Sequence, residues 1–309
     1  MNKQQVMELV TQTLGIKLLS AERMTLTHSG NTVYDVTLPE SHVIVRLRGT
    51  DKNAFSKTAQ NIRALAELGL PVPRVLAEDT SLTHYPFRYI IFRYIILEKI
   101  PGRDLLYELA SMTRAQMTQL AERIVSAQRA VATLPEGTGF GWGHIGEGGT
   151  EPVWFDVVRS EAERLPPVAD GGPLSDYKFR LHQQRLRFQP YFKDLTPVCF
   201  LEDLTTKNVL LKRGELQGLI DFDCVCFGDP LWMIGLAAGC IVNDVGRQEL
   251  FYIQELCRCW NLTEQQQGIV AYYAAQRAVG FLEHALSEQD APRAERLITS
   301  VEQWLARLE

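Results

Sequence analysis

No stretch of this sequence is apolar for long enough to cross a membrane. The longest such run, YIIFRYIIL at residues 89–97, falls far short of the roughly 20 residues a span needs and carries an arginine. Basic charge is also in short supply. Lys and Arg number 32 against 37 Asp and Glu, a net charge of -5 with a pI near 5.8, so there is no overall field to hold nucleic acid or an anionic membrane surface. Low-complexity tracts are missing, and so is an apolar core of signal-peptide length at the start. There Val6, Leu9, Val10 and Leu14 recur at the spacing of an amphipathic helix. Cysteine is sparse and clustered: all six lie between 199 and 259. The pairs Cys224/Cys226 and Cys257/Cys259 are each too close for the two to four intervening residues of a zinc-binding pair, so buried reduced thiols are the expectation. Together these absences predict a cytoplasmic protein with a small-molecule partner, no nucleic acid and no membrane.

What is present is enough for two lobes with their own cores, at 309 residues and 46% hydrophobic. The first hundred residues read as antiparallel strands, in RMTLTHSGNTVYDVTL, HVIVRLRG and RVLAED, with one helix that Asn53 can cap and that Gly69, Pro71 and Pro73 stop. Phe87–Ile91 is repeated letter for letter at Phe92–Ile96. Five is an odd number, so the copies would face opposite sides of one strand, and a bulge or a longer strand must absorb the repeat. Pro101-Gly102 is the natural boundary, giving domains 1–100 and 101–309. Beyond it the periods are helical, beginning with a Thr113/Gln116 capping box and a face of Met117, Leu120, Ile124, Gln128, Val131 and Leu134.

Gly141–Gly146, GWGHIG, matches the dinucleotide fingerprint, but a turn precedes it where a strand should stand and Pro152 follows where a helix should run. A flexible surface loop edging a pocket with Phe140 and Trp142 is the better reading. FLEDLTTKNVLLKRGELQGLIDFDC, Phe200–Cys224, is more telling. Asp203 can take the proton of an attacking hydroxyl. Asn208 and Asp221, returned by a hairpin turning at Arg213-Gly214, offer a neutral and a charged oxygen of the kind magnesium accepts. Asp229, in GDP before an apolar run, is explained as a helix cap.

The spacing D-x-x-x-x-N, with D-F thirteen residues past the asparagine, resembles that of the aminoglycoside phosphotransferase family and its choline-kinase-like and other small-molecule kinase members. SGNTVYDV, VIVRLR, ALAELGLPVPRVL and ILEKIPGRDL match the family's further segments in order, over most of residues 25–240. The resemblance implies an α+β, bilobal protein-kinase-like fold, with a small N-terminal lobe of antiparallel sheet plus helix and a larger, mainly helical C-terminal lobe. It implies Asp203 as catalytic base, and Asn208 and Asp221 as ligands of Mg2+. Arg46 is then the cation on the phosphates of ATP or GTP, with Ser29, Gly30, Asn31 and Thr32 covering them. Glu98 to Ile100 would meet the base through their backbone. Lys207 would place charge near the transferred group, or serve only as a solvated loop lysine.

Three departures accompany the match. Leu201-Glu202-Asp203 stands where the family often has His-Gly-Asp. Thr58 stands where an acid should anchor the phosphate-binding cation, and Met233 where an aspartate is frequent. Arg46 therefore needs another anchor or relies on its fixed charge and planar fork. Separately, Asp223, on the face of Asp221 if the strand continues, is a candidate carboxylate behind the metal ligands or on a second metal. Glu255, Glu283 and Glu288 are candidates for a pocket or for solvated helix faces. Three functions follow: a phosphotransferase acting on a small-molecule hydroxyl, a metabolic kinase of an amino alcohol, amino acid or sugar derivative, and a nucleotide-binding module without transfer activity.

Overall fold

The computed structural model describes residues 2–24, 31–48, 54–79, 93–164 and 173–309. The chain divides into two compact units. One comprises Met1–Pro101 and Gly218–Cys224; the other comprises Gly102–Gln217 and Val225–Glu309. A short segment late in the chain thus belongs with the first unit, across the single boundary the sequence suggests.

The first unit opens with α1 (Lys3–Leu14), whose Asn2/Gln5 capping box starts it and whose Gly15, at φ 69°, ends it. There follow β1 (Ser20–Arg23), β2 (Thr32–Thr37), β3 (His42–Arg48), α2 (Ala54–Glu67), β4 (Val75–Asp79) and β5 (Arg93–Glu98), and the strands form one antiparallel sheet in the order β1-β2-β3-β5-β4. Strand parity sorts its faces. Val43, Val45 and Leu47 of β3, with Tyr34, Val36, Tyr94 and Ile96, bury against Val6, Leu9 and Val10 of α1. Arg46 projects from the opposite face, over the Phe55 ring of α2 at 5.8 Å. A register irregularity falls between Val75 and Ala77 of β4. The first copy of the five-residue repeat, and Phe92 of the second, lie outside the described residues, as does Asn53.

In the second unit β6 (Arg103–Asp104) leads to α3 (Leu105–Glu108) and α4 (Arg114–Val131), which starts with the expected Thr113/Gln116 box. Then come β7 (Gly141–Gly143), α5 (Trp154–Glu163), α6 (Pro173–Arg187), α7 (Gln189–Lys193), β8 (Val198–Phe200), β9 (Val209–Lys212), β10 (Glu215–Leu219), β11 (Val225–Gly228), α8 (Leu231–Asp244), α9 (Leu250–Trp260), α10 (Glu264–Ser287) and α11 (Ala291–Ala306). The β9–β10 hairpin turns on Arg213 and Gly214, with φ of 57° and 77°, the conformation tight hairpins require. Helix α8 is apolar on every side because it is packed all round. Gly235 and Gly239 let it approach α10 closely: a Cβ at Gly235 would lie 2.3 Å from Tyr273 Cβ, and one at Gly239 2.8 Å from Arg277 Cγ. No helix among the described residues is long and apolar enough to cross a membrane.

The glycine-rich stretch 137–149 is not the flexible loop its composition suggests. Gly141–Gly143 is a strand paired with β11, and Phe140 bridges Glu151. A Cβ on Gly149 would sit 2.0 Å from the Phe140 carbonyl oxygen, so glycine is there to let two backbones touch.

Candidate active site

In the second unit, β8 runs into a loop, residues 201–208, that is tied at each step. Gln128, buried on the apolar face of α4, donates to the Leu201 carbonyl at 2.6 Å and accepts from the Leu201 N–H at 3.0 Å. Glu202 accepts from Trp142 Nε1 at 2.8 Å. The Arg164 guanidinium lies 5.9 Å from the Trp142 ring centre and pairs with Glu161. Thr206 donates to Asp244 at 2.9 Å, and its carbonyl accepts from the Leu106 N–H at 2.8 Å. Together these bonds brace the loop.

Asp203 sits at the exposed bend of this loop. Its Oδ1 accepts from Thr205 Oγ1 at 2.7 Å, and its carbonyl accepts from Asn208 Nδ2 at 3.0 Å. The second bond fixes the buried Asn208 amide, so that its carbonyl oxygen is the end left for a ligand. The protein packed around Asp203 raises its pKa. Thr205, the Arg277 and Lys207 charges and Asn208 oppose the rise. Glu202 is pushed higher, to about 7, chiefly by burial and then by the Asp203 charge.

The first unit holds a separate charge cluster. Arg46 Nη2 meets Asp223 Oδ2 at 2.6 Å and Arg46 Nη1 lies 3.4 Å from Asp221 Oδ1. Thr58 Oγ1 donates to the other Asp223 oxygen at 3.0 Å, and Asn61 Nδ2 donates to the Phe222 carbonyl at 3.0 Å. The acid missing from α2 is thus supplied by Asp223, with Thr58 as its hydrogen-bond donor. Strand alternation is not what places the two aspartates: β10 ends at Leu219, and Asp221 takes the left-handed conformation, φ 68°. That conformation is uncommon for a residue with a side chain and concentrates at functional positions.

The remaining expected residues are distributed as follows. Ser29 and Gly30 lie outside the described residues; Asn31 is buried at the entry to β2, and Thr32 pairs with Leu47. The Glu98 N–H, expected to face a nucleotide base, is committed to the Arg74 carbonyl at 2.9 Å because β5 pairs there with the approach to β4, and the Lys99 N–H bonds to His42. Ile100 follows beyond the end of β5, and Lys207 is exposed. Glu255 is tied to Arg258 and Thr118, Glu283 lies 3.9 Å from Lys178, and Glu288 pairs with Arg293. Asp229 exceeds its expected capping role. It caps the Leu231 N–H at 3.0 Å and also accepts from Tyr191 at 3.1 Å and Tyr273 at 2.9 Å. Sequence reasoning passed over Arg277; it noted Gln128 only as part of an apolar helix face and Trp142 only as the edge of a pocket, and gave neither its partner in this loop.

Among the described residues no three His, Cys, Asp or Glu side chains gather into a metal site, and the six cysteines are reduced. Magnesium keeps most of its water and needs only one or two protein oxygens. The Asn208 carbonyl oxygen and the Asp221 carboxylate are donors of the right kind.

A family model described as the phosphotransferase enzyme family (APH) matches residues 27–252. No curated protein matches the chain. Among solved structures, aminoglycoside phosphotransferase APH(4)-Ia is 15% identical with a TM-score of 0.68, covering 98% of each chain. A GDP and kanamycin complex of APH(2")-IIIa is 14% identical with a TM-score of 0.66, covering 98% of this chain and 99% of that one. A protein named as a fructosamine-3-kinase from Thermobifida fusca YX-ER1 is 14% identical with a TM-score of 0.62, covering 99% of each. At these identities the likeness establishes the fold, a small antiparallel sheet with a helical unit, in agreement with the α+β kinase-like expectation.

Proposed function

The chain belongs to the phosphotransferase enzyme family, and as a small-molecule kinase of that family we propose that it moves the γ-phosphoryl group of ATP to an alcohol hydroxyl, with Mg2+. The observation that carries this is the Asp203 carboxylate, oriented by Thr205 and backed by the locked amide of Asn208. In the step proposed, the acceptor oxygen bonds to the γ-phosphorus as the bond to the β–γ bridging oxygen breaks. The hydroxyl proton passes to Asp203, and the nucleoside diphosphate departs with the electron pair of the broken bond. Raising the Asp203 pKa makes it a better proton acceptor than a solvated carboxylate. Arg46 is the phosphate cation, held rigid by two carboxylates, and residues 29–32 cover the phosphates. Lys207 adds positive charge near the transferred group.

Asn208 and Asp221 are the proposed magnesium ligands; the ion, when bound, supplies charge neutralisation on the phosphates. Because the Glu98 N–H is already engaged, the base is met by the Glu98 carbonyl and the Ile100 backbone. ATP is favoured by one relative solved with ADP and hygromycin B, while another carries GDP, so both nucleotides belong in the assay. The reduced cysteines suit a reducing cytoplasm. The test is coupled ADP or GDP release across alcohol acceptors, with and without EDTA. Release that depends on acceptor and metal is expected; nucleotide binding with no release across the panel would leave a binding module only.

A further inference from the structure

Thr206 lies between Asp203 and Asn208 in the catalytic loop and is buried. Its main chain is fixed by α3, through the Leu106 N–H at 2.8 Å, and its hydroxyl donates to Asp244 Oδ2 at 2.9 Å. Asp244 is the last residue of α8, where a carboxylate meets the negative end of the helix dipole, and no basic residue shares that turn. An acid is disfavoured there on local grounds, and a residue that breaks a local rule marks a functional position. Its second oxygen, Oδ1, accepts from Asn243 Nδ2 at 2.5 Å. The Asn243 side-chain oxygen accepts in turn from Arg293 Nε at 2.8 Å. Arg293, in the first turn of α11, is held by the residue that ends α10: its Nη1 donates to Glu288 Oε2 at 2.8 Å, and His284 Nδ1 lies 3.1 Å from the same oxygen.

A continuous row of hydrogen bonds therefore runs from α11 through the end of α8 to the catalytic loop, all of it inside the larger unit. The two ends of the row dictate every donor and acceptor along it. A guanidinium only donates and an ionised carboxylate only accepts, so Arg293 obliges Asn243 to turn its amide oxygen toward α11 and its NH2 toward Asp244. Asp244, gripped by that NH2, keeps its other oxygen on the Thr206 hydroxyl. Without the Arg293 N–H the amide is free to turn over. An amide oxygen facing a carboxylate repels it, and Thr206 then loses its acceptor.

We propose that Arg293 and Asp244 are positioning residues for phosphoryl transfer, acting through Asn243 and Thr206 on the placement of Asp203 and Asn208. The inference rests on the phosphotransferase reading for its effect on rate, and on the row of bonds alone for its effect on the loop.

The test compares the full-length wild type with Arg293→Leu, Arg293→Lys, Thr206→Val and the double variant Arg293→Leu/Thr206→Val. Nucleoside diphosphate release and amide hydrogen exchange of residues 201–208 are both measured. Arg293→Leu is expected to lower kcat about tenfold, the worth of one buried hydrogen bond, with the nucleotide KM within about twofold. Exchange at 201–208 quickens while that of α4, on the other side of the loop, keeps its rate. Arg293→Lys still donates to Asn243 and keeps most of both properties. The double variant is no worse than Thr206→Val alone, because both changes cut the same row, whereas independent sites would multiply their effects. Asn243→Ala takes the place of Arg293→Leu in these comparisons if the latter does not fold. Wild-type kcat in Arg293→Leu, equal impairment of Arg293→Leu and Arg293→Lys, or losses that multiply in the double variant overturn the proposal. If the wild type releases no diphosphate with any acceptor, the kinase reading fails and exchange decides alone: quickened exchange at 201–208 in Arg293→Leu upholds the row, and unchanged exchange overturns it. Equal release by wild type and Arg293→Leu overturns the row and leaves the kinase.

Discussion

The two functional regions of this molecule hold their carboxylates by different physics. In the smaller unit Asp221 and Asp223 face a buried arginine, so each negative charge has its counter-charge within 4 Å. In the larger unit Glu202 and Asp203 have no cation in contact among the described residues; a tryptophan N–H, a threonine hydroxyl and the surrounding protein define their setting, and both pKa values rise. A compensated cluster suits a post that stays charged and still. An uncompensated carboxylate suits a group that must change its protonation state. From this contrast, substitutions in the larger unit are expected to act on turnover and on pH behaviour, and those in the smaller unit on nucleotide affinity.

Asp203→Asn makes the widest break. It preserves the shape of the loop and removes the proton acceptor, so kcat is expected to fall by about 10² to 10⁴ in an ADP-release assay. Turnover within a few fold of wild type would remove Asp203 from the role of base. Gln128→Leu follows. It leaves the buried Leu201 N–H and carbonyl without partners, and each such group costs about 1–3 kcal/mol. Chemical denaturation should show a loss of about 2–6 kcal/mol, with kcat reduced because the loop carrying Asp203 loses its brace.

How much of this was legible beforehand follows from sequence distance. Asp203, Asn208 and Asp221 stand out because they fall within one loop and one hairpin, at the spacing on which the family resemblance rests. The anchor of Arg46 does not, because Asp223 lies 177 positions away and nothing in local pattern links them. Gln128 and Leu201, 73 positions apart, are hidden for the same reason: an amide on an apolar helix face shows that some partner exists, not which backbone it meets. The glycine-rich stretch misleads differently. Glycine marks freedom in a loop and close approach in a packed one, and only the partner backbone, here Phe140 against Gly149, tells the two apart. Strand parity correctly separated Arg46 from the core-facing Val45 and Leu47, but it failed at Asp221, where the strand had already ended.

Asp223→Asn probes the compensated side. It keeps a hydrogen bond to Arg46 and removes the charge, so the nucleotide KM is expected to rise about tenfold with kcat changed less. The second substitution Thr58→Glu sharpens the point. In the Asp223→Asn background it moves the acid to α2, and it should return KM toward the wild-type value. In the wild-type background it adds a third carboxylate beside one arginine and should lower stability. A KM unaffected by Asp223→Asn would mean that the phosphate cation is anchored by Asp221 alone.

The smallest effect is expected from Glu202→Gln, and it lies in the pH dependence. The Glu202 carboxyl titrates near 7 in the folded protein against an ordinary 4.5, so between those values the folded state binds more protons than the unfolded chain. Stability from this group is therefore fully present below about 4.5 and is lost as pH rises toward about 7, opposite in sign to a carboxylate held by a salt bridge. Glutamine keeps an acceptor for the Trp142 N–H and cannot ionise. Melting temperatures recorded across this window should thus fall with rising pH more steeply in the wild type than in Glu202→Gln. Identical slopes would place Glu202 in water, and the contrast between the two regions would then rest on Asp203 alone.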